Sequence, residues 1–223
     1  MSLVAERTEI KTVSPPQCYA AHNETALSEI YGDDVAISIW QRELESSIAH
    51  AASVLIASQP TLQFSSVLKP ENVDDVLLRE IGSSEALFAL YQDVSKLVDM
   101  FCLLFDLSEV GLRIKVLDAP MCPLFHVDKV PCRLITTYCG VATQWIPNPL
   151  VDRSQLGFSG QGKPGAKPGI CQSVDDVRQL HVGDVALLKG ESWPDNQGAG
   201  LVHRSPEPLK GQKRLLLTID FCS

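Results

Sequence analysis

Apolar residues in the first half of the chain recur mainly at intervals of three and four positions, the spacing of one face of an α-helix. This pattern predicts helices over residues 42–58, 70–82 and 84–106, with a short alternating strand over residues 35–40 before them. The widest apolar stripe lies on the third helix and comprises Leu87, Leu90, Tyr91, Val94, Leu97, Val98, Phe101 and Leu104. Residues 1–30 lack such a period, contain a Ser-Pro-Pro break and are expected to be loosely ordered.

After Gly111 the pattern changes to short alternating or continuous apolar runs between turn residues, which is typical of β-strands. The predicted strands cover residues 112–118, 122–128, 131–140, 142–147, 181–190, 199–206 and 213–222. Residues 147–172 are rich in proline and glycine, which indicates a long irregular loop. We expect this loop to be mobile, either as a lid at a pocket mouth or as a disordered segment. The strands are predicted to form an antiparallel sandwich or barrel.

The two halves are predicted to form one α+β domain over residues 1–223. Residues 1–107 are mainly helical, and residues 108–223 contain the strands. Because the apolar stripe of the third helix must be buried, we expect the helices to cover the outer face of one sheet.

Composition excludes several classes of function. The chain of 223 residues has a net charge of -8, which argues against a nucleic-acid surface and against binding to anionic membranes. The N-terminal residues include acidic side chains and no apolar signal core, and no apolar stretch is long enough to cross a bilayer. The seven cysteines include no C-x-x-C pair, which is typical of reduced thiols in an intracellular protein. The cytoplasm is therefore the expected location.

The candidate chemistry lies in three residues of the strand-rich half. His126 and Asp128 form an H-x-D motif, and residues i and i+2 of a strand point to the same face. His203 supplies a second imidazole later in the chain. Two histidines and one carboxylate form the facial triad that holds non-haem Fe(II) with open coordination positions. We therefore predict that these three residues bind a metal.

Arg214 follows His203 by eleven residues and adds a possible carboxylate anchor. If Arg204 pairs with Lys213 across a hairpin, His203 lies directly opposite Arg214, and directly opposite residues share a face. Arg214 would then point into the metal pocket. An iron site with an arginine that grips an acid indicates an oxygenase that uses 2-oxoglutarate as co-substrate.

Two alternatives remain open from the sequence. Zn(II) also accepts two histidines and one carboxylate, so the chain can be a non-catalytic protein of zinc or metal homeostasis. It can also be a scaffold that has lost its chemistry and binds a partner.

The C-terminal half resembles the double-stranded β-helix, or jelly-roll, oxygenases in the order of H-x-D, His203 and Arg214. The segment "HVGDVALLKG" resembles the Gly-Asp strand before the distal histidine of that fold. The segments "FHVDKVPCRLITTYCG" and "VHRSP…KRLLLTID" are similar to a bacterial family, domain of unknown function 1826, over most of the chain. Members of that family are linked with zinc-limitation genes and metallochaperone GTPases, which implies a metal-homeostasis context.

The oxygenase resemblance implies a jelly roll over residues 108–223, with the N-terminal helices packed on it. It also implies that Arg214 pairs with the far carboxylate of 2-oxoglutarate. Many such enzymes carry a Ser or Thr two residues after this arginine, where this chain has Leu216. Thr136 and Tyr138 share a face of the strand after H-x-D and are expected to add hydrogen bonds to the acid.

Overall fold

In the part of the chain that the structure describes, three α-helices and three strands come first, and seven strands follow. The computed structural model describes residues 17–156 and 169–222. The helices are α1 (Ser46–Ser58), α2 (Val73–Glu80) and α3 (Phe88–Phe105). The strands are β1 (Cys18–Ala21), β2 (Ile37–Trp40), β3 (Gln63–Leu68), β4 (Val110–Leu117), β5 (Cys132–Cys139), β6 (Gln144–Ile146), β7 (Arg178–Gln179), β8 (Val185–Lys189), β9 (Val202–Arg204) and β10 (Arg214–Phe221).

The three predicted helices are confirmed, with ends that differ by a few residues. In α3 the three-and-four spacing buries Leu90, Val94, Leu97 and Phe101 on one face, each at most 1% exposed. The helix ends at Phe105, and the next residue, Asp106, adopts the left-handed conformation with a φ of 53°. Such a residue commonly stops an α-helix, because its backbone cannot continue the helical path.

The strands form two sheets. A seven-stranded sheet has the order β1-β2-β8-β5-β10-β4-β3, and a three-stranded sheet has the order β7-β6-β9. All pairs are antiparallel except β1 with β2. The backbone of His126 adds an isolated antiparallel bridge to His203 in β9, which places His126 at the edge of the small sheet.

The large sheet is covered on both faces. On one face, residues such as Leu134 of β5 and Leu217 of β10 pack against α3 in the main core cluster. On the other face, Ile135 and Leu216 pack with Trp145 of the small sheet in a second cluster. The helices, the large sheet and the small sheet therefore form three successive layers. Successive residues of β5 and β10 alternate between the helix-facing and the inner face.

Three expectations need correction in the described residues. Residues 17–31 are ordered, since β1 pairs with β2 and a 3-10 helix spans Glu24–Tyr31. The edge strand β3 was not predicted, because Ser66 lies on the same face as the buried Phe64 and Val67 lies on the exposed face, which breaks the alternation. Residues 122–128 form no strand beyond the bridge at His126.

The long loop is described only in part. Residues 147–156 and 169–172 are irregular, with short 3-10 turns at Asn148–Leu150 and Arg153–Gln155. The predicted mobility concerns mainly residues 157–168, which lie outside the described residues. None of the helices in the described ranges has the length and apolar character needed to cross a lipid bilayer.

Candidate metal centre

The structure brings His126, Asp128 and His203 together in one cluster. Their potential ligand atoms all lie within 4.8 Å of one another. The Nε2 atom of His126 is 3.8 Å from Oδ1 of Asp128, and the Nε2 atom of His203 is 3.3 Å from Oδ2. The two imidazole rings lie with their centroids 4.5 Å apart. Three side chains that are far apart in sequence thus converge on one point.

The backbone positions the two histidines. The amide of each donates a 3.0 Å hydrogen bond to the carbonyl of the other, so His126 and His203 are directly opposite residues and share a face. Asp128 lies in the irregular segment that follows, just before a bend at residues 129–131, and not on a strand as the sequence suggested. The H-x-D motif therefore places its two side chains together through a bridge and a short irregular segment.

Hydrogen bonds to the backbone orient both histidine rings. The Nδ1 atom of His126 is 3.0 Å from the carbonyl of Leu124, and the Nδ1 atom of His203 is 3.1 Å from the carbonyl of Leu201. A carbonyl only accepts, so each Nδ1 carries a proton and each Nε2 is the ring nitrogen that faces the cluster. Metal-binding histidines are commonly oriented in this way by their second nitrogen.

The charges of the cluster suit a divalent cation. Burial disfavours ionisation of Asp128, yet the nearby His203, Arg133 and His126 outweigh it and lower the pKa of that carboxyl to about 2. Burial, followed by the repulsion of His203, lowers the pKa of His126. At neutral pH the cluster thus holds an ionised carboxylate and a neutral His126. These are the protonation states in which carboxylate and imidazole bind metals.

The donor set also fits a metal geometrically. The Nε2 atom of His203 lies 3.3 Å from Oδ2 of Asp128 and that of His126 lies 3.8 Å from Oδ1, so both ring nitrogens are turned toward the carboxylate. A metal held there would have both nitrogens and a carboxylate oxygen within reach. Two imidazole nitrogens and one carboxylate oxygen suit Fe(II) or Zn(II).

Residues at the end of β8 hold the backbone at Asp128. The amide of Glu191 donates a 2.8 Å hydrogen bond to the carbonyl of Asp128, and the amide of Gly190 donates to the carbonyl of Pro131. A Cβ at Gly190 would lie 2.0 Å from the Val130 carbonyl oxygen and 2.9 Å from that of Asp128. Only glycine allows this close approach.

Arg214 is buried close to the histidine strand. Its side chain is 1% exposed, and its Nη1 atom donates a 2.8 Å hydrogen bond to Ser205, two residues after His203. Its Nη2 atom donates to Thr143 at 2.7 Å and to Thr137 at 3.2 Å, and its Nε atom has no partner among the described residues. Burial lowers the pKa of Arg214 to about 10. A buried cation whose described partners are all neutral hydroxyls favours binding of an anion.

The predicted hairpin, in which His203 lies opposite Arg214, is wrong. His203 lies opposite Trp145 in the small sheet, whereas Arg214 lies opposite Leu117 in the large sheet. The segment between β9 and β10 crosses from one sheet to the other and makes no two-stranded turn. The long arginine side chain spans this separation and contacts the segment that follows β9.

Thr136 and Tyr138 lie on the face of β5 that is turned away from the cluster. The Tyr138 hydroxyl donates a 2.7 Å hydrogen bond to Asp93 of α3, which also pairs with Arg42. Thr136 lies opposite Leu217, a member of the helix-facing core, and its hydroxyl has no partner among the described residues. This placement corrects the expectation that both hydroxyls contact a bound acid.

The sequence did not reveal the polar residues that contact Arg214 and Asp128. Thr137, Thr143 and Ser205 contact Arg214, and Arg133 donates a 2.7 Å hydrogen bond to Asp128. Arg133 and Thr137 are both odd-numbered residues of β5 and therefore lie on the same face of the strand. Had this face been assigned to the site, the sequence would have predicted both residues.

Comparisons with known proteins agree with this fold. Residues 21–220 match the family described as "Protein of unknown function (DUF1826)". No curated protein matches the chain. Among solved structures, a dioxygenase for auxin oxidation from rice is 8% identical with a TM-score of 0.54, covering 84% of this chain and 74% of its own. The Arabidopsis thaliana dioxygenase for auxin oxidation 1, in a 2-oxoglutarate binary complex, is 9% identical with a TM-score of 0.50, covering 92% of both chains.

These likenesses show a shared fold, and the family match extends over most of the chain. The protein therefore belongs to the DUF1826 family.

Proposed function

We propose that this protein is a non-haem Fe(II)-dependent dioxygenase that uses 2-oxoglutarate as co-substrate to hydroxylate an organic substrate. The observation that carries the proposal is the convergence of His126, Asp128 and His203, together with the buried Arg214 that donates a hydrogen bond to Ser205, two residues after His203. Two imidazoles and one carboxylate bind Fe(II) on one side and leave the remaining positions open. The fold likeness to a dioxygenase in complex with 2-oxoglutarate supports the same function.

The proposal includes the double-stranded β-helix as the architecture of the strand-rich part. In support, the small sheet packs across the second apolar cluster against the inner face of the large sheet. The bridge at His126 extends the small sheet to the order β7-β6-β9-His126. The histidines would then bind the metal from the edge of the small sheet, inside the fold.

Arg214 is the proposed anchor for the far carboxylate of 2-oxoglutarate. Its planar guanidinium can hold a carboxylate with two charge-assisted hydrogen bonds. Position 216, where the oxygenase resemblance implies a Ser or Thr, is Leu216 and packs between the sheets. Ser205 and Thr143 accept hydrogen bonds from Arg214, which leaves their hydroxyl protons free to donate to the same carboxylate. Hydroxyls from other segments can therefore replace the missing one.

Each residue of the site has a distinct task in this proposal. His126, Asp128 and His203 hold the metal, Arg214 orients the acid, and the apolar cluster around Leu216 excludes water. Fe(II) and 2-oxoglutarate, when bound, would supply the O2 activation that hydroxylation requires, so the protein mainly positions and shields the reactants.

The experiment that tests the proposal measures succinate formed from 2-oxoglutarate. Purified protein is incubated with Fe(II), ascorbate and 2-oxoglutarate in air, and His203→Ala serves as the matched control. We expect succinate to form with the parent and not with the variant. Equal background rates from both proteins, together with tight zinc binding by the parent, would contradict the proposal and favour a metal-handling protein.

A further inference from the structure

We propose that Arg133 is a positioning residue that holds Asp128 so that one carboxylate oxygen faces the metal, and that Asp220 fixes Arg133 for this task. The inference rests on the metal centre of the proposed function. It assigns a role to a pair of charged residues, Arg133 and Asp220, that belong to neighbouring strands of the large sheet.

Arg133 uses three nitrogen atoms on two carboxylates. Its Nη1 atom donates to Oδ2 of Asp128 at 2.7 Å. Its Nε atom donates to Oδ1 of Asp220 at 2.6 Å, and its Nη2 atom donates to Oδ2 of Asp220 at 3.1 Å. A guanidinium is planar and rigid, so the two bonds to Asp220 set the direction in which the third donor points. Lysine could not reproduce this arrangement, because its ammonium group has no planar fork.

The register of the large sheet explains why Asp220 can do this. Asp220 of β10 lies directly opposite Arg133 of β5, so both side chains project from the same, inner face. Asp220 is 3% exposed, and Arg113 of β4 also pairs with it. The carboxylate of Asp220 is thus held from two strands and is a rigid support for Arg133.

The contact with Arg133 determines how the side chain of Asp128 is oriented. Asp128 lies outside any strand, and its backbone is held through the carbonyl that accepts from Glu191. On the side chain, Oδ2 accepts from Arg133, whereas Oδ1 accepts no hydrogen bond within residues 17–156 and 169–222 and lies 3.8 Å from Nε2 of His126. Oδ1 is therefore the oxygen available to a metal. A carboxylate bound through one oxygen leaves more coordination positions open than one bound through two.

The test uses Co(II) as a spectroscopic probe of the metal centre in the full-length protein. Co(II) titrations are followed by visible absorption, whose intensity and position report the number of ligands. The variants are Arg133→Met, Arg133→Lys and Asp220→Asn, and Arg113→Gln is the matched control because it contacts Asp220 but not Asp128. Metal-free thermal melts of each variant report structural damage separately.

We expect both Arg133 variants to bind Co(II) about 10- to 100-fold more weakly, the usual effect of losing a residue that orients a ligand. Their Co(II) spectrum should also change, while Arg113→Gln keeps the parent spectrum and an affinity within about twofold, because its loss leaves the Arg133–Asp128 contact in place. If Arg133→Met fails to fold, Arg133→Lys and Asp220→Asn carry the test, since both retain a polar group at the position.

Parent-like affinity and spectrum in the folded Arg133 variants would overturn the inference. A changed melting temperature with an unchanged spectrum would also overturn it, because it would show a purely structural role. Failure of the parent itself to bind any divalent metal would instead refute the proposed function. The two failures are therefore distinguishable, and neither readout depends on 2-oxoglutarate.

Discussion

His126 and His203 exchange two backbone hydrogen bonds of 3.0 Å across a bridge that is only one residue pair long. This short bridge fixes the spacing of the two backbones, and the carbonyls of Leu124 and Leu201 fix the direction of the two rings. The fold itself therefore holds the two imidazole rings in place, without help from a bound metal. A site formed in advance by the fold should bind its ion without a large rearrangement.

The first prediction concerns metal binding and stability. Zn(II) or Co(II) should raise the melting temperature of the parent, since a ligand of the folded state adds about 2.7 kcal/mol at a hundredfold excess over its dissociation constant. His126→Ala and His203→Ala should abolish this shift and the bound metal. His181→Ala is the control, because His181 is 82% exposed and lies outside the cluster. An undiminished shift in both cluster variants would place the metal elsewhere.

The second prediction concerns the acid anchor. Arg214→Leu should weaken 2-oxoglutarate binding by roughly ten- to a hundredfold, because a hydrogen bond to a charged group contributes about 1.5–3 kcal/mol. Arg214→Lys should restore binding only in part, since an ammonium cannot form the paired contact. Calorimetric titration of 2-oxoglutarate and a separate metal titration check both points. Metal affinity should stay near that of the parent, and unchanged 2-oxoglutarate affinity in Arg214→Leu would exclude the anchor role.

The third prediction separates the helix-facing network from the metal centre. Asp93→Ala should destabilise the fold by about 3–5 kcal/mol, because it leaves the half-buried Arg42 without its carboxylate. Tyr138→Phe should cost about 1.5–3 kcal/mol, the contribution of one hydrogen bond to a charged group. Denaturant unfolding measures both. Tyr138→Phe should leave the affinity for 2-oxoglutarate unchanged. A strong loss of this affinity would show that Tyr138 contacts the bound acid after all.

The fourth prediction concerns the close packing behind Arg214. Gly140 has a φ of +84°, and a Cβ there would lie 2.7 Å from the carbonyl oxygen of Lys213. Gly211 has a similar φ of +78° but no atom within 4 Å of an added Cβ. Alanine at this position therefore measures the cost of the backbone conformation alone. Gly211→Ala should cost about 1–3 kcal/mol, and Gly140→Ala should cost clearly more. Equal unfolding free energies for the two variants would show that the contact with Lys213 is unimportant.

The helices could be predicted from the sequence because their signal is local. The stripe of α3 is complete within one segment, and its burial against Leu134 and Leu217 follows from its width. The edge strand β3 lacked such a signal, since the polar Ser66 and the apolar exposed Val67 interrupt its alternation. Its place in the sheet depends on pairing with β4, which is about fifty residues away in sequence.

The candidate site could be predicted only in part from the sequence, for a similar reason. His126, Asp128 and His203 are recognisable by residue type and order, and so is Arg214. Their supports depend on pairings between distant strands: Arg133 and Asp220 are 87 residues apart in sequence. The same limit explains the error at Tyr138, because the face that a strand residue occupies follows from sheet packing and not from residue type.

The measurement that tests the central claim most directly is a titration of 2-oxoglutarate into the Fe(II)-loaded protein in the absence of oxygen. Calorimetry records the heat, and absorption spectroscopy records the metal-to-ligand charge-transfer band that a chelated 2-oxo acid produces. We predict saturable binding of one equivalent per iron, with a band that is absent in His203→Ala. Neither heat nor a band in the Fe(II)-loaded parent would contradict the account and leave a metal-binding protein without 2-oxoglutarate chemistry.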